Sequence, residues 1–203
     1  MWALIEDGSI TKLINNPRGM IIDDIQYSRN IFSSRWTNAE REAIGLYEVV
    51  FDNTNKKDEA YYNNTNQSFA FADGVVTASY GSATAKAHAD TLWTAQDEID
   101  GKGTEGEVAT RGLKYNLIQT IKQQAAGELQ NTDWYITRKA DAGTAVPSAI
   151  TTHRAAVRTK CAQMETAITN ASNTAAIETL YTYTKQEDGS VTRPLGEMPT
   201  LEV

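Results

Sequence analysis

The chain has 203 residues, of which 40% are hydrophobic and 22% are charged, and its net charge is −7. This length suits one large domain or two small ones. The acidic balance argues against nucleic-acid binding, which depends on cationic side chains that neutralise phosphates. No stretch approaches the ~18 consecutive apolar residues of a membrane-spanning helix, so we expect no membrane partner.

The single cysteine, Cys161, excludes an intrachain disulfide. Such cysteine use suits a chain that folds in a reducing compartment, or one that is indifferent to redox conditions. The N-terminal segment MWALIEDGSI becomes acidic at Glu6. That is too early for the apolar core of a signal peptide, so none is predicted.

Residues 1–100 are predicted to form a mostly antiparallel β module. The stretch WALIEDGSITKLI places Asp7-Gly8 between two short apolar runs, and Asp73-Gly74 repeats this strong hairpin signal. Inside the module, TNAEREAIGLYEVVF predicts a short helix that Thr37 or Asn38 caps.

The character of the chain changes near residue 84. TAKAHADTLWTAQDEID is rich in helix formers, but it also suits an extended run that closes the sheet. Residues 101–112, GKGTEGEVATRG, contain four glycines and are predicted as a Gly-rich linker at the domain boundary. No apolar strand precedes these glycines, so they do not indicate a phosphate-binding loop.

Residues 113–181 are predicted as a helical hairpin domain, because apolar residues recur there at helical spacing. The stripe of the first helix consists of Leu113, Leu117, Ile121, Ala125 and Leu129. A second helix begins at Pro147 or Ser148, and its apolar face consists of Ile150, Val157, Cys161, Met164 and Ile168. A third, shorter helix spans residues 174–181. Two long amphipathic helices with a short connection bury their stripes on each other.

The connection between the long helices is predicted to contain a small helix. Thr132 caps this helix, Asp133 begins it and Gly143 ends it. Residues 182–203 are predicted to form a hairpin at Asp188-Gly189 and then an extended tail. The predicted fold is therefore α+β, with a mostly antiparallel β module, an amphipathic helical hairpin domain and an extended C-terminal tail.

Catalytic and metal-binding patterns are missing from the sequence. Its two histidines, His88 and His153, and its cysteine show no metal-ligand spacing. His153 and Cys161 stand about 12 Å apart along one predicted helix, at ~1.5 Å per residue, which is too far for proton transfer. Acidic pairs such as Asp23-Asp24 suit solvated turns. We therefore expect no enzymatic activity, no catalytic residue, no metal and no cofactor.

Cationic side chains are concentrated between residues 111 and 160, which hold eight lysines and arginines but only three acidic residues. This segment either meets an acidic surface, on a partner or on the chain's own acidic half, or forms the solvated polar face of the hairpin. The aromatic residues of the front module offer a similar choice. Trp36, Tyr47 and the stretch YYNNTNQSFAF form a partner-binding patch if they are exposed, and sheet core if they are buried.

Residues 131–158, NTDWYITRKADAGTAVPSAITTHRAAVR, are the strongest candidate contact region, because Trp, Tyr and Arg are enriched at interface hot spots. The candidate partner-binding residues are Trp134, Arg138, Arg154 and Arg158.

Two structural alternatives apply to the same residues. Trp134 also suits a packing position between helices. Arg154 and Arg158, four residues apart on one helix face, also suit a structural ion pair with Asp133 or Asp141.

The stretch LQNTDWYITRKADAGTAVPSAITTHRAAVR is similar to the signature of phage tail fibre assembly and tail assembly chaperone proteins. That signature runs from a helix ending in Leu, through Thr/Ser-Asp-Trp and a Pro, to a helix with aromatic-Arg-x-x-apolar-Arg. The matching residues are Leu129, Thr132, Asp133, Trp134, Pro147, Arg154, Val157 and Arg158. His153 stands where the signature usually has Tyr, and RKADAGTAVPS replaces a Pro/Asp-rich turn followed by Trp.

This resemblance covers about residues 113–170. The front of the chain more loosely resembles the front halves of marine tailed-phage proteins that carry the same back half. The resemblance implies a non-enzymatic protein that binds a tail fibre or another tail protein and assists folding, trimerisation or attachment of the fibre. It also implies the host cell cytoplasm as the location during assembly.

The alternative from another class is a structural component of the virion tail. Such a component would be a receptor-binding adhesin at the fibre tip, or a connector between baseplate and fibre. The oligomeric state of the chain itself stays open.

Overall fold

A computed structural model describes residues 1–201, and the chain divides into two compact units. The first unit comprises residues 1–84, and the second begins at Ala85. The first consists mainly of β-sheet and the second contains the long helices, so the predicted α+β class is confirmed.

A five-stranded sheet organises the first unit. The strands are β1 (Trp2–Glu6), β2 (Ser9–Ile14), β3 (Met20–Ile22), β4 (Ile25–Tyr27), β5 (Leu46–Asp52), β6 (Tyr62–Asn63), β7 (Gln67–Ala72) and β8 (Val75–Tyr80). The sheet order is β2-β1-β5-β8-β7. Neighbouring strands are antiparallel except β5 and β8, which run parallel with Val49 beside Val76. The sheet curls into a half-barrel, and its edge strands β2 and β7 approach each other.

Two Asp-Gly turns connect neighbouring strands of this sheet. Asp7 and Gly8 link β1 to β2, and Asp73 and Gly74 link β7 to β8. All four residues have positive φ angles, between 49° and 75°. A two-residue type I′ hairpin turn requires such angles at both central positions. Both predicted hairpins are therefore confirmed.

Each face of the sheet carries its own hydrophobic cluster. On one face, Tyr47, Phe69 and Phe71 pack against buried residues that include Val49 and Val76. On the other face, Trp36 packs against a cluster of Leu4, Ile14, Ile22, Ile31 and Leu46. The front aromatics therefore belong largely to the core, which decides between the two alternatives for that region.

The short helix α1 (Asn38–Glu42) borders the second cluster. Thr37 caps it through a capping box with Glu40, as one of the two predicted caps. The helix also places Arg41 in the interior, although that side chain is charged. Arg41 donates hydrogen bonds to the carbonyl oxygens of Ile31 and Ser33, and its guanidinium lies over the Trp2 ring. These contacts satisfy a buried charge that the sequence pattern did not indicate.

The predicted linker at residues 101–112 is instead a folded part of the second unit. Residues 85–100, assigned from sequence to the β module, also belong to this unit. The segment contains β9 (Thr84–Ala85, at the unit boundary), β10 (Thr91–Leu92), α2 (Ala95–Ile99) and β11 (Val108–Thr110). Strands β10 and β11 pair, and Gly103 lies against the Trp93 indole. The glycines therefore allow close packing and turns, which local composition does not distinguish from a linker.

The helices of the second unit follow the predicted periodicity. They are α3 (Leu113–Gln130), α4 (Asp133–Ala142), α5 (Ser148–Asn170) and α6 (Thr174–Tyr181). Helices α3 and α5 pack along each other, and their core contains Ile121, Met164 and Ile168. The four-residue spacing of apolar side chains therefore identified the contact faces of the hairpin.

The C-terminal segment folds back on the helices. A short hairpin of β12 (Thr184–Lys185) and β13 (Val191–Thr192) surrounds the predicted Asp188-Gly189 turn. Beyond it, Leu195 is buried in the helical core and its carbonyl accepts a hydrogen bond from Lys160. The remainder has no regular secondary structure as far as residue 201. Within residues 1–201, no helix has the length and apolarity to cross a membrane.

Candidate partner-binding surface on the helical hairpin

Arg154 forms the centre of a polar junction where α3, α4 and α5 meet. Its Nη1 lies 2.8 Å from the Leu129 carbonyl oxygen, 2.7 Å from Thr132 Oγ1 and 2.8 Å from Asp133 Oδ1. Leu129 is in the last turn of α3, and Asp133 is the first residue of α4. One guanidinium from α5 thus contacts both helices of the connection.

This junction is buried on the arginine side. Arg154 is 7% exposed and Thr132 is 1% exposed, whereas the Asp133 side chain is 58% exposed. A buried cation with hydrogen-bond acceptors stabilises the position of the elements that supply them, and losing its partners is costly. Arg154 therefore has a structural role, and its assignment as an exposed partner contact is wrong. The predicted ion pair with Asp133 is confirmed.

Thr132 occupies the position before α4, but its side chain does not cap that helix. Its hydroxyl donates to the Leu129 carbonyl oxygen at 2.9 Å and accepts from Arg154. Thr132 is thus the N-cap residue of α4, as predicted, but its hydroxyl binds the buried guanidinium and makes no capping hydrogen bond. The predicted end of α4 is confirmed, since Gly143 adopts a left-handed conformation with φ 70°.

Trp134 points away from this junction. Its side chain is 51% exposed, so the packing position between helices is excluded. Consecutive residues project about 100° apart around a helix, so Asp133 facing inward turns its neighbour outward. The indole contacts Tyr135, with ring centroids 3.8 Å apart. None of the ten residues of α4 is buried.

Arg138 is exposed one turn further along α4 and forms a cluster with Trp134 and the half-buried Tyr135. Its guanidinium carbon lies 4.8 Å from the Trp134 ring centroid and 5.7 Å from that of Tyr135. We call Trp134, Tyr135 and Arg138 the α4 cluster. Among residues 1–201, no hydrogen-bond acceptor or carboxylate lies within bonding distance of the Arg138 guanidinium. The cluster thus presents aromatic surface and an uncompensated cation to solvent.

Arg158 follows Arg154 by one helical turn but is exposed. Its Nη1 makes a long contact of 3.5 Å with the Arg154 carbonyl oxygen. The two arginines, predicted to share one helix face, therefore differ in burial: Arg154 lies inside the junction and Arg158 lies at the surface. Asp141, the other predicted ion-pair partner, forms no ion pair within the described part of the chain.

The histidine and the cysteine of α5 lie in separate surroundings. Cys161 borders the α3–α5 core and its Sγ donates to Glu165 at 3.3 Å. Burial raises the pKa of the Cys161 thiol, and the Glu165 carboxylate raises it further. Both effects disfavour the thiolate. His153 borders an open hollow of about 450 Å³ whose other lining residues carry no ionisable side chain. Among residues 1–201, no group of three His, Cys, Asp or Glu side chains could hold a metal.

Two further arginines of the second unit stack on aromatic rings, and sequence reasoning singled out neither. Arg111 lies 4.1 Å from the Tyr115 ring centroid and donates to Asp90 at 2.6 Å. Arg193 lies 5.3 Å from the Tyr181 ring and donates to Glu197 at 2.8 Å. The Arg111–Tyr115 spacing of four residues repeats that of Trp134 and Arg138, and was the available sequence signal.

Comparison of the chain with known protein families, with curated proteins and with solved structures gave no match.

Proposed function

We propose that this chain is a non-enzymatic phage tail protein that binds a tail fibre and assists its folding, trimerisation or attachment. The observation that carries the proposal is the α4 cluster, in which Trp134 and Arg138 are exposed and Tyr135 is half-buried, on a helix with no buried residue. Trp, Tyr and Arg are the residue types that contribute most to binding energy at protein interfaces.

The residues that resemble the chaperone signature divide into two groups in space. Leu129, Thr132, Asp133 and Arg154 are joined by hydrogen bonds and fix the start of α4. Trp134 and Arg158 face outward. This division supports a role in which the inner group positions a helix whose outer side chains contact a partner.

The apolar surface of α4 also favours a binding role over a solvated turn. Ile136 is 43% exposed, in addition to Trp134. These two side chains lie on different sides of the helix, and each has apolar area that a partner would remove from water. A fibre protein is the partner that the resemblance implies, and the host cytoplasm is the place where that encounter would occur.

The proposal is tested by using the chain as bait against the tail proteins encoded in the same phage genome. We expect recovery of the fibre, and recovery should fall strongly for Trp134→Ala. Quantitative mass spectrometry of purified particles then separates assembly helper from virion component. An assembly helper is absent or substoichiometric, whereas a fibre-tip adhesin or connector has a fixed copy number. Recovery of no tail protein would contradict the proposal.

A further inference from the structure

The stacked arginines of the second unit share one arrangement, and Arg138 departs from it in a single respect. Arg111 lies over Tyr115 and holds Asp90, and Arg193 lies over both Tyr181 and Tyr183 and holds Glu197. Arg138 is stacked on two rings and holds no carboxylate within residues 1–201. We propose that the α4 cluster is a receptor for a carboxylate on the partner protein, an Asp or Glu side chain in an otherwise apolar contact.

The geometry of stacking explains why a carboxylate suits this position. A guanidinium that lies over an aromatic ring keeps its N–H groups in its own plane, where they form a fork that matches two carboxylate oxygens. The rings also restrict the rotamers of a long side chain, so less entropy is lost when the anion binds. Arg138 is thus prepared for an anion before the partner arrives.

The charge around α4 favours an acidic partner surface. α4 contains two acidic residues: Asp133, which is paired with Arg154 at 2.8 Å, and Asp141, which forms no ion pair with Arg138 within residues 1–201 although it follows that arginine by three positions. Within residues 1–201, neither Arg138 nor the neighbouring Lys139 forms an ion pair, so both cations of α4 are available to an anion of a partner. The apolar contribution comes from the rings of Trp134 and Tyr135, which suits an apolar segment carrying the acidic side chain rather than a highly charged chain.

This inference rests on the proposed function for the identity of the partner only, and it is tested without the fibre. N-acetyl-glutamate N-methylamide and its glutamine counterpart differ only by carboxylate against amide. Each is titrated into ¹⁵N-labelled protein at constant ionic strength, and the Trp134 indole and Arg138 Nε–H signals are followed. We expect saturable shifts with the glutamate probe, at least about fivefold larger than with the glutamine probe.

Three variants and one further anion sharpen the test. Arg138→Gln should abolish the Trp134 response, and Arg138→Lys should weaken it, because Lys keeps the charge but not the planar fork. Lys139→Gln, the neighbouring cation without a ring contact, should retain the response. Equal shifts with both probes, or a response that persists in Arg138→Gln, would overturn the inference. So would methyl phosphate binding as tightly as the glutamate probe, since that would indicate a phosphate receptor.

The outcome is separable from that of the proposed function. A response to the glutamate probe combined with no fibre recovery would leave the carboxylate receptor standing and contradict the fibre partner. Fibre recovery combined with no response would support the function and overturn the carboxylate receptor.

Discussion

The Arg138 guanidinium lies 4.8 Å from the centre of the Trp134 ring, on a helix none of whose residues is buried. On the side of α4 that meets the hairpin, Arg154 lies 2.8 Å from Asp133. Arg154 therefore holds the start of α4 from the buried side, whereas Arg138 lies on the exposed side of the same helix. The following predictions separate these two roles.

Replacing Trp134 by alanine should leave stability nearly unchanged. The side chain is 51% exposed, and a surface substitution away from caps and networks usually changes the unfolding free energy by less than about 0.5 kcal/mol. Urea denaturation followed by circular dichroism measures this. The reference variant is Ile121→Ala, whose parent side chain is 1% exposed and whose loss should cost about 2–5 kcal/mol. A Trp134→Ala loss of similar size would show that the indole is a packing residue after all.

Replacing Arg154 by methionine should destabilise the second unit. The change removes hydrogen bonds to Leu129 and Thr132, and leaving a buried polar group unpaired costs about 1–3 kcal/mol. Arg158→Met is the matched control, because Arg158 is exposed one turn away. Equal midpoints of denaturation for the two variants would contradict the structural role of Arg154.

Two glycine substitutions should change the stability of the protein in opposite directions. Gly127 lies within α3 with open space around it, so Gly127→Ala should stabilise the protein by about 0.5–1 kcal/mol. Gly112 lies against the backbone of Ala89, so a methyl group there should destabilise it. Thermal denaturation of both variants checks this. An unchanged melting temperature for Gly112→Ala would contradict the close packing of Gly112 and would favour a loose linker at residues 101–112.

Acid should weaken the second unit partly through Asp97. Hydrogen bonds from the Thr94 hydroxyl and backbone N–H, and from Lys102, lower the pKa of Asp97 from 3.8 to about 2. A carboxyl group with a lowered folded-state pKa contributes stability that is present above pH ~4 and lost as the pH falls toward ~2. The melting temperature of Asp97→Asn should therefore fall less steeply than that of the parent over this range. Asp141→Asn, at an exposed site, serves as the control. Identical pH profiles for parent and Asp97→Asn would contradict the expectation.

Local signals predicted much of the fold. The predicted third helix, residues 174–181, coincides with α6, because apolar periodicity and turn chemistry act within a few residues. The predicted Asp-Gly hairpin turns are present for the same reason. The parallel pairing of β5 with β8 and the pairing of β10 with β11 join residues distant in sequence, so no local pattern indicates them.

The sequence pointed to Trp134 and Arg138 of the α4 cluster, but it did not place Tyr135 beside them and did not show that Arg154 is buried. The four-residue spacing of Arg154 and Arg158 correctly placed them on adjacent turns. Which of them is buried depends on where α3 ends and α4 begins, since Leu129 and Asp133 supply the acceptors. Trp134 faces solvent because its neighbour Asp133 faces Arg154. The surface of the hairpin is thus set by the buried junction beneath it.

We propose that the α4 cluster binds a tail fibre, and co-purification tests this proposal most directly. The parent chain, Trp134→Ala and Tyr115→Ala are each co-expressed with the tail fibre protein that the proposed function implies, and the fibre that co-purifies is quantified. Tyr115 is a matched control, because it is an exposed aromatic residue stacked with an arginine that already holds a carboxylate. We expect Trp134→Ala to lose at least about tenfold in recovered fibre, while Tyr115→Ala retains the parent level. Full recovery by Trp134→Ala, folded and in equal amount, would contradict the proposal.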